Sequence, residues 1–450
     1  MISAGSFWTQ SLREFDRGES ITRILAAAIR AVEPGEAVRR VVRREGGQLI
    51  VSGRVYDLSH YRQVFLLGIG KASIGMAGSM TAILGDSLSA GLVITKHIPP
   101  DYSAPGPLSV DQGGHPLPDD RSFLAGKKVV DFLSALRSDD LLFCVVSGGG
   151  SALASVPVDG LLTADLQSLT SVLLACGASI GEFNTLRRHL DKLKGGGIVR
   201  LANDATVVSL VLSDVVGNPL EDISSGPTAP DPTTCLDALA LIDKYGLREQ
   251  IPSSIITVLE IEADTPKPGD PIFEKVHNVI VGSNLIAAQA ALKQAAEEGF
   301  NTYLLRTDVQ GEASRAAFEL ATFLRQARKS GSPVPPPACI LAGGETTVTV
   351  QGNGQGGRNT ELALAAVSEL ANFLGVMLIT LATDGEDGET DAAGAAVTGE
   401  TYHRAAALDL HPGEYLQRND SYSFFAELGD LLKPGPTGTN VNDLIFLFTL

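Results

Sequence analysis

Residues 140–153 read DLLFCVVSGGGSAL: an unbroken apolar run, three consecutive glycines, then small residues and a leucine. Apolar runs of this kind mark strands buried on both faces, as in parallel sheets covered by helices. The run stops where a helical pattern begins, so the glycines occupy a strand-to-helix turn. Glycine at successive positions permits a tight turn, and it also lets backbone N–H groups converge on an anion.

The pattern recurs along the chain. QVFLLGIG (63–70), GLVITKH (91–97) and TVVSLVLSD (206–214) are apolar runs separated by the helical stretches ASIGMAGSMTAIL, RSFLAGKKVVDFLSAL and GEFNTLRRHLDKLKGG. Together they predict an N-terminal Rossmann-like, mostly parallel α/β/α sandwich. Beyond residue 231 the texture turns helical, and DTPKPGDPIF (264–273) reads as a Pro-rich connector. HNVIVGSNLIAAQAALKQAAEEG then opens a second α/β series that ends in NDLIFLFTL. The expected division is 1–245 for the N-terminal domain and 275–450 for a smaller C-terminal α/β domain, with the boundary somewhere in 235–275. Polar motifs follow the strands of both halves, and open α/β sheets bind ligands at the carboxyl ends of strands. The expected site is therefore a cleft between the two domains.

Composition narrows the partners. The 450 residues carry a formal net charge of -17, which argues against nucleic acid or an anionic membrane as partner. An anionic substrate would need a few cations set against that background. Cys144, Cys176, Cys235 and Cys339 are scattered, without metal-ligand spacing or a disulfide framework. The N-terminal stretch lacks an apolar signal core, and no run of about 18 apolar residues occurs. A cytoplasmic protein, monomeric or homodimeric, is expected.

Six segments carry candidate chemistry. In LLGIGKAS, Gly70 precedes Lys71, a cation at a helix start where the macrodipole disfavours it and a nearby anion would relieve the conflict. Its G68-x-G70-x-x-S73 falls one residue short of a dinucleotide fingerprint, and the next strand ends in Lys96-His97 rather than an acid. In SGGGS, Gly148, Gly149 and Gly150 supply backbone donors, with Ser147 and Ser151 adding hydroxyls. The helix 182–194 concentrates Arg187, Arg188, His189, Lys192 and Lys194, the largest positive cluster, of which Arg187 and Lys194 are candidate substrate ligands. Asp214 closes an apolar strand and suits a general base or metal ligand; its structural alternative is an N-cap. GNGQGGRNTE sets Gly356, Gly357, Arg358 and Asn359 at a helix start, where Arg358 can fork onto phosphate or carboxylate. The acidic loop ATDGEDGETD offers Asp384 and Asp387 as Mg²⁺ ligands.

GIGKAS, SGGGSAL, LSDVVGNPLEDISSGPTAPDPTT, GGETTVTVQGNGQGGRNTELALA and ATDGEDGETDAAGA, in this order, resemble the glycerate 2-kinase family, also called the MOFRL-domain glycerate kinases. The similarity runs from about Phe15 to the C-terminus. It implies ATP-dependent phosphorylation of D-glycerate to 2-phosphoglycerate with Mg²⁺. The family's lysine falls on Lys71, its strand-end aspartate on Asp214 and its glycine-flanked arginine on Arg358. Two departures stand out: Asn218 where many relatives have Asp, and Asp191 where a small hydroxyl residue is common. The competing expectation is an NAD(P)H-dependent hydroxypyruvate reductase, resting on the near-fingerprint at 68–73.

Overall fold

The computed structural model describes residues 2–261 and 264–450. They form two compact units: residues 34–281, and the chain up to Glu33 joined to Gly282–Leu450. The chain thus crosses between units at 33/34 and 281/282 instead of once within 235–275.

The first unit is built on strands β1 (Val64–Ile69), β2 (Leu88–Thr95), β3 (Leu108–Gln112), β4 (Leu141–Ser147), β5 (Thr206–Leu212) and β6 (Val276–Gly282). Their order in the sheet is β3-β2-β1-β4-β5-β6, and every pairing from β3 through β5 is parallel. This is the doubly wound order of dinucleotide-binding folds. β1 and β4 are buried along their whole length, which is why they read as continuous apolar runs. On one face Phe65, Leu67 and Ile69 pack with Ala125, Val129 and Leu133 of helix Asp120–Ser134. Helices Thr163–Cys176, Ile180–Leu190, Cys235–Lys244 and Ser253–Ile261 form a separate apolar cluster within the unit. HNVIVG, expected to open the second series, is instead the sixth strand of the first sheet; the Val207 N–H donates to Lys275 O at 3.0 Å beside it.

The second unit has strands β7 (Asn301–Glu312), β8 (Ala338–Thr347), β9 (Val376–Ala382), β10 (Gly394–Thr398), β11 (Leu431–Leu432) and β12 (Asp443–Thr449), in the order β7-β8-β12-β9-β10-β11. Only β7 and β8 pair in parallel; β12 runs antiparallel between β8 and β9. The N-terminal helix Gly18–Ala31 belongs here because it buries Ile21, Ile24, Leu25 and Ile29 and ties Arg23 to Glu298 at 2.7 Å. Ser11 donates from both N and Oγ to buried Asp430. Among the described residues no helix is long and apolar enough to cross a membrane.

Candidate active site

The order of strands in the first sheet reverses between β1 and β4: the chain winds outward through β2 and β3 on one side and through β5 and β6 on the other. Loops leaving β1 and β4 therefore diverge, and the crevice at their carboxyl ends is where such sheets take ligands. Gly70 and Lys71 follow β1, Gly148 to Ser151 follow β4, and Asp214 lies two residues past β5. The turns are stitched together. The Lys71 N–H donates to Gly148 O at 3.0 Å, the Ala72 N–H to Ser147 Oγ at 3.0 Å, and Ser224 Oγ to Ser147 O at 2.8 Å.

Each missing side chain in SGGG leaves space that neighbouring groups occupy. A Cβ on Gly148 would lie 1.8 Å from Asp214 Oδ2. On Gly149, whose φ is +83°, it would sit 3.0 Å from both Lys71 Cε and His115 Cδ2. On Gly150 it would meet Ser224 Oγ at 2.6 Å. The glycines thus bring a carboxylate, an ammonium stem, an imidazole and a hydroxyl against one short stretch of backbone. The N–H groups of Gly150 and Ser151 open the helix Gly150–Leu153, and first-turn N–H groups have no intrahelical acceptor.

His115 and the Ser224-Ser225 pair are members of this site that the sequence reading did not single out. Burial, together with the nearby charges of Lys71 and Lys96, pushes His115 down to about 4, so the imidazole is neutral at neutral pH. Ser224 and Ser225 both have positive φ, 51° and 59°. Non-glycine residues held there cost on the order of 1–3 kcal/mol each and gather at functional loops. Ser225 Oγ lies 2.7 Å from Ser151 Oγ and donates to Asn184 Oδ1 at 3.0 Å. Asn218, with φ of 56°, occupies a left-handed position that Asn tolerates better than most residues.

The basic run divides. Arg188 and His189 are buried and spent on structure, Arg188 on Asp231 (2.9 Å) and Asp222 (3.1 Å), His189 on Thr185 O (2.8 Å) and Asp264 (3.0 Å). Lys194, a candidate substrate ligand, is buried and donates to Ala154 O at 2.5 Å, with Asp191 at 3.8 Å. Asp191 in turn accepts from Ser155 Oγ at 2.6 Å and Leu193 N at 2.9 Å, so this departure bridges two loops. Arg187 lies 4.1 Å above the Phe183 ring, and burial lowers it to about 10.

In the second unit Arg358 begins helix Arg358–Leu370 and forks onto Asp443, Nε to Oδ2 at 2.6 Å and Nη2 to Oδ1 at 3.2 Å, with Nη1 on Glu345 at 2.9 Å. Burial raises Asp443 to about 6 against the pull of Arg358. The neighbouring glycines, expected to let a ligand approach the backbone, are instead closed in by protein. Cβ atoms on Gly352, Gly354 and Gly356 would strike Arg418 O, Asp420 Cβ and Ser421 Oγ within 2.1–2.4 Å, and one on Gly357 would strike Asp387 Oδ1 at 2.4 Å. These glycines let their loop pack on 418–421 and on Asp387.

Asp387 is likewise committed, contrary to the expectation that it holds metal. Its Oδ1 accepts from Asn359 N and Nδ2, its Oδ2 from Thr360 N and Oγ1, and only 2% of the residue is exposed. A carboxylate has about four lone-pair sites, so none is left for an ion. Asp387 caps the helix, and Asn359 serves that cap. Asp387→Ala is expected to lower the unfolding free energy by about 2–4 kcal/mol in urea titrations, since it removes a cap and strands buried donors. Unchanged stability with a tenfold higher Mg²⁺ requirement would return Asp387 to the metal. Asp384, at the carboxyl end of β9, keeps more capacity: burial raises it, and the hydrogen bond resolved to its carboxylate is one from Glu386 N at 3.2 Å.

Two family models match the chain: a domain of unknown function (DUF4147) over residues 20–260, and the MOFRL family over 338–443. The chain is 36% identical over 427 residues to a glycerate 2-kinase of Pyrococcus horikoshii, covering 94% of this chain and 95% of that one. It is 39% identical over 388 residues to a D-glycerate 2-kinase of Thermotoga maritima, covering 85% and 90%. A crystal structure of a glycerate kinase from Thermotoga maritima superposes with a TM-score of 0.84 at 36% identity, covering 95% of this chain and 98% of that one.

Proposed function

This chain belongs to the glycerate 2-kinase family, and from that premise we propose that it transfers the γ-phosphoryl group of ATP to the 2-hydroxyl of D-glycerate, with Mg²⁺. The observation that carries the reading is the convergence of Lys71, the 148–151 backbone and Asp214 at the crevice where the first sheet reverses. Phosphoryl transfer asks for positioning and charge neutralisation more than for covalent help from the protein. In this scheme Asp214 accepts the proton of the 2-hydroxyl as the O2–P bond forms and the bridging P–O bond to ADP breaks. Lys71 and the N–H groups of Gly150 and Ser151 hold the transferring oxygens. The side chains of Ser147 and Ser224 keep the turn in shape, Ser147 by accepting the Ala72 N–H and Ser224 by donating to Ser147 O. Asp384 is the carboxylate with capacity for Mg²⁺, which would neutralise phosphate charge when bound. In the second unit the charge of Arg358 is met by Asp443 and Glu345.

The reductase alternative has less to stand on. Where the dinucleotide fingerprint needs its third glycine for close helix packing, Ser73 is fully buried and its Oγ donates to Gly70 O (2.7 Å) and Ile94 O (3.0 Å). We place the protein in the cytoplasm, where its four free cysteines stay reduced. The test is ADP release with D-glycerate, ATP and Mg²⁺, the product identified by phosphorus NMR. Formation of 2-phosphoglycerate is the expected result. NADH oxidation with hydroxypyruvate, and no glycerate-dependent ADP, would replace the kinase reading with the reductase.

A further inference from the structure

Arg187 differs from its neighbours on helix Ile180–Leu190. Arg188 and His189 each have carboxylate partners, whereas among the described residues no carboxylate lies within bonding distance of the Arg187 guanidinium, which is stacked on Phe183. Partial burial lowers the Arg187 guanidinium to about 10, and the nearby charge of Asp191, which makes no ion pair with it, offsets only part of that cost. It borders a cavity of about 30 Å³ shared with Ser151, Ser155, Asp191 and Lys194, with Phe183 on its apolar wall. The formal charges on that lining, Arg187 and Lys194 against Asp191, leave one positive charge in excess. Ser151 belongs at once to this cavity and to the glycine turn beside Lys71, so the cavity adjoins the proposed phosphoryl site.

We propose that Arg187 binds the carboxylate of the acceptor substrate, in the cavity it shares with Ser151 and Lys194, and so sets the enzyme's requirement for a hydroxy acid. This rests on the kinase reading and names which anion goes where. The volume suits a group little larger than water, and the excess charge is one, which matches a carboxylate better than a phosphoryl group. The planar fork of Arg suits two carboxylate oxygens, and Ser151 offers a hydroxyl between the two subsites. Lys194, held by Ala154 O and Asp191, supplies charge from below the loop without needing to touch the ligand.

The experiment compares wild type with Arg187→Gln and Arg187→Lys. Steady-state rates are measured against D-glycerate and ATP separately, and D-glycerate binding is measured by calorimetry without turnover. For Arg187→Gln the expected result is a roughly 10–100-fold rise in KM for D-glycerate, the loss of one forked charge-assisted interaction, with KM for ATP unchanged within twofold. Phosphorylation of D-glyceramide, which lacks the charge, should be equally slow in both proteins. Arg187→Lys should recover part of the affinity, because it keeps the charge and loses the fork. A rise in KM for ATP instead, or unaltered glycerate kinetics and binding, would overturn the assignment while the kinase activity stood. A wild type that binds D-glycerate through Arg187 but makes no phosphoglycerate would sink the kinase reading and leave the carboxylate site intact.

Discussion

Asp214→Asn is expected to lower kcat for glycerate phosphorylation by about 10²–10⁴-fold with little change in fold, the range typical for loss of a positioned general base. Asparagine is nearly isosteric, so the contact with the Gly148 backbone survives. That contact is close enough that a Cβ on Gly148 would fall 1.8 Å from Oδ2. What is lost is the ability to take a proton. The KM values should therefore move far less than kcat, since an interaction made only as the hydroxyl gives up its proton acts in the transition state. Asp214 stands two residues beyond a fully buried stretch of β5, close to a rigid element that limits how far it can move. A kcat within threefold of wild type would reduce Asp214 to a spacer and shift proton acceptance to another group. The neutral imidazole of His115, which packs against Gly149 from another loop, would then be the next candidate.

How far this site could be read in advance depended on where each glycine's neighbour comes from. Strands β1, β4 and β5 were legible because burial on both faces leaves an unbroken apolar run. Lys71 and Asp214 were legible because they sit at the ends of those runs. Gly148 to Gly150 and Gly352 to Gly357 carry the same local signature, yet one set makes room for Asp214, Lys71 and His115 and the other for residues 418–421 and Asp387. Nothing local separates the two, since the occupant arrives from tens of residues away. His115 escaped notice for the same reason: it lies in a loop without periodicity and acquires meaning only against Gly149. The misplaced boundary has a related cause. The run HNVIVG says that a strand exists but not which sheet edge it joins, and β6 closes the first sheet. The amphipathic helix Gly18–Ala31 announces a buried face without naming the unit that covers it.

Lys71→Ala should cost about 10²–10³-fold in kcat, comparable to the loss of one preorganised donor from a charge-stabilising site. Lys71 is exposed, and its Cε lies 3.0 Å from the Cβ position of Gly149, so truncation leaves no cavity in the core. Stability should consequently stay within about 0.5 kcal/mol of wild type. Lys71→Arg keeps the charge but not the compact ammonium, and should recover only part of the rate. The substitution also has a signature independent of turnover. His115 is held at about 4 by burial first, then by the charges of Lys71 and Lys96. Removing Lys71 deletes one downward influence, so the His115 ring should titrate at higher pH in the variant, yet still below 6.5, because burial and Lys96 remain. Proton NMR of the imidazole Cε1–H across pH 3–8 reads this directly. An upward movement together with lost turnover places the ammonium over Gly149, where the phosphoryl oxygens are proposed to lie. Lost turnover with an unmoved titration would mean that Lys71 points away from His115 and acts elsewhere.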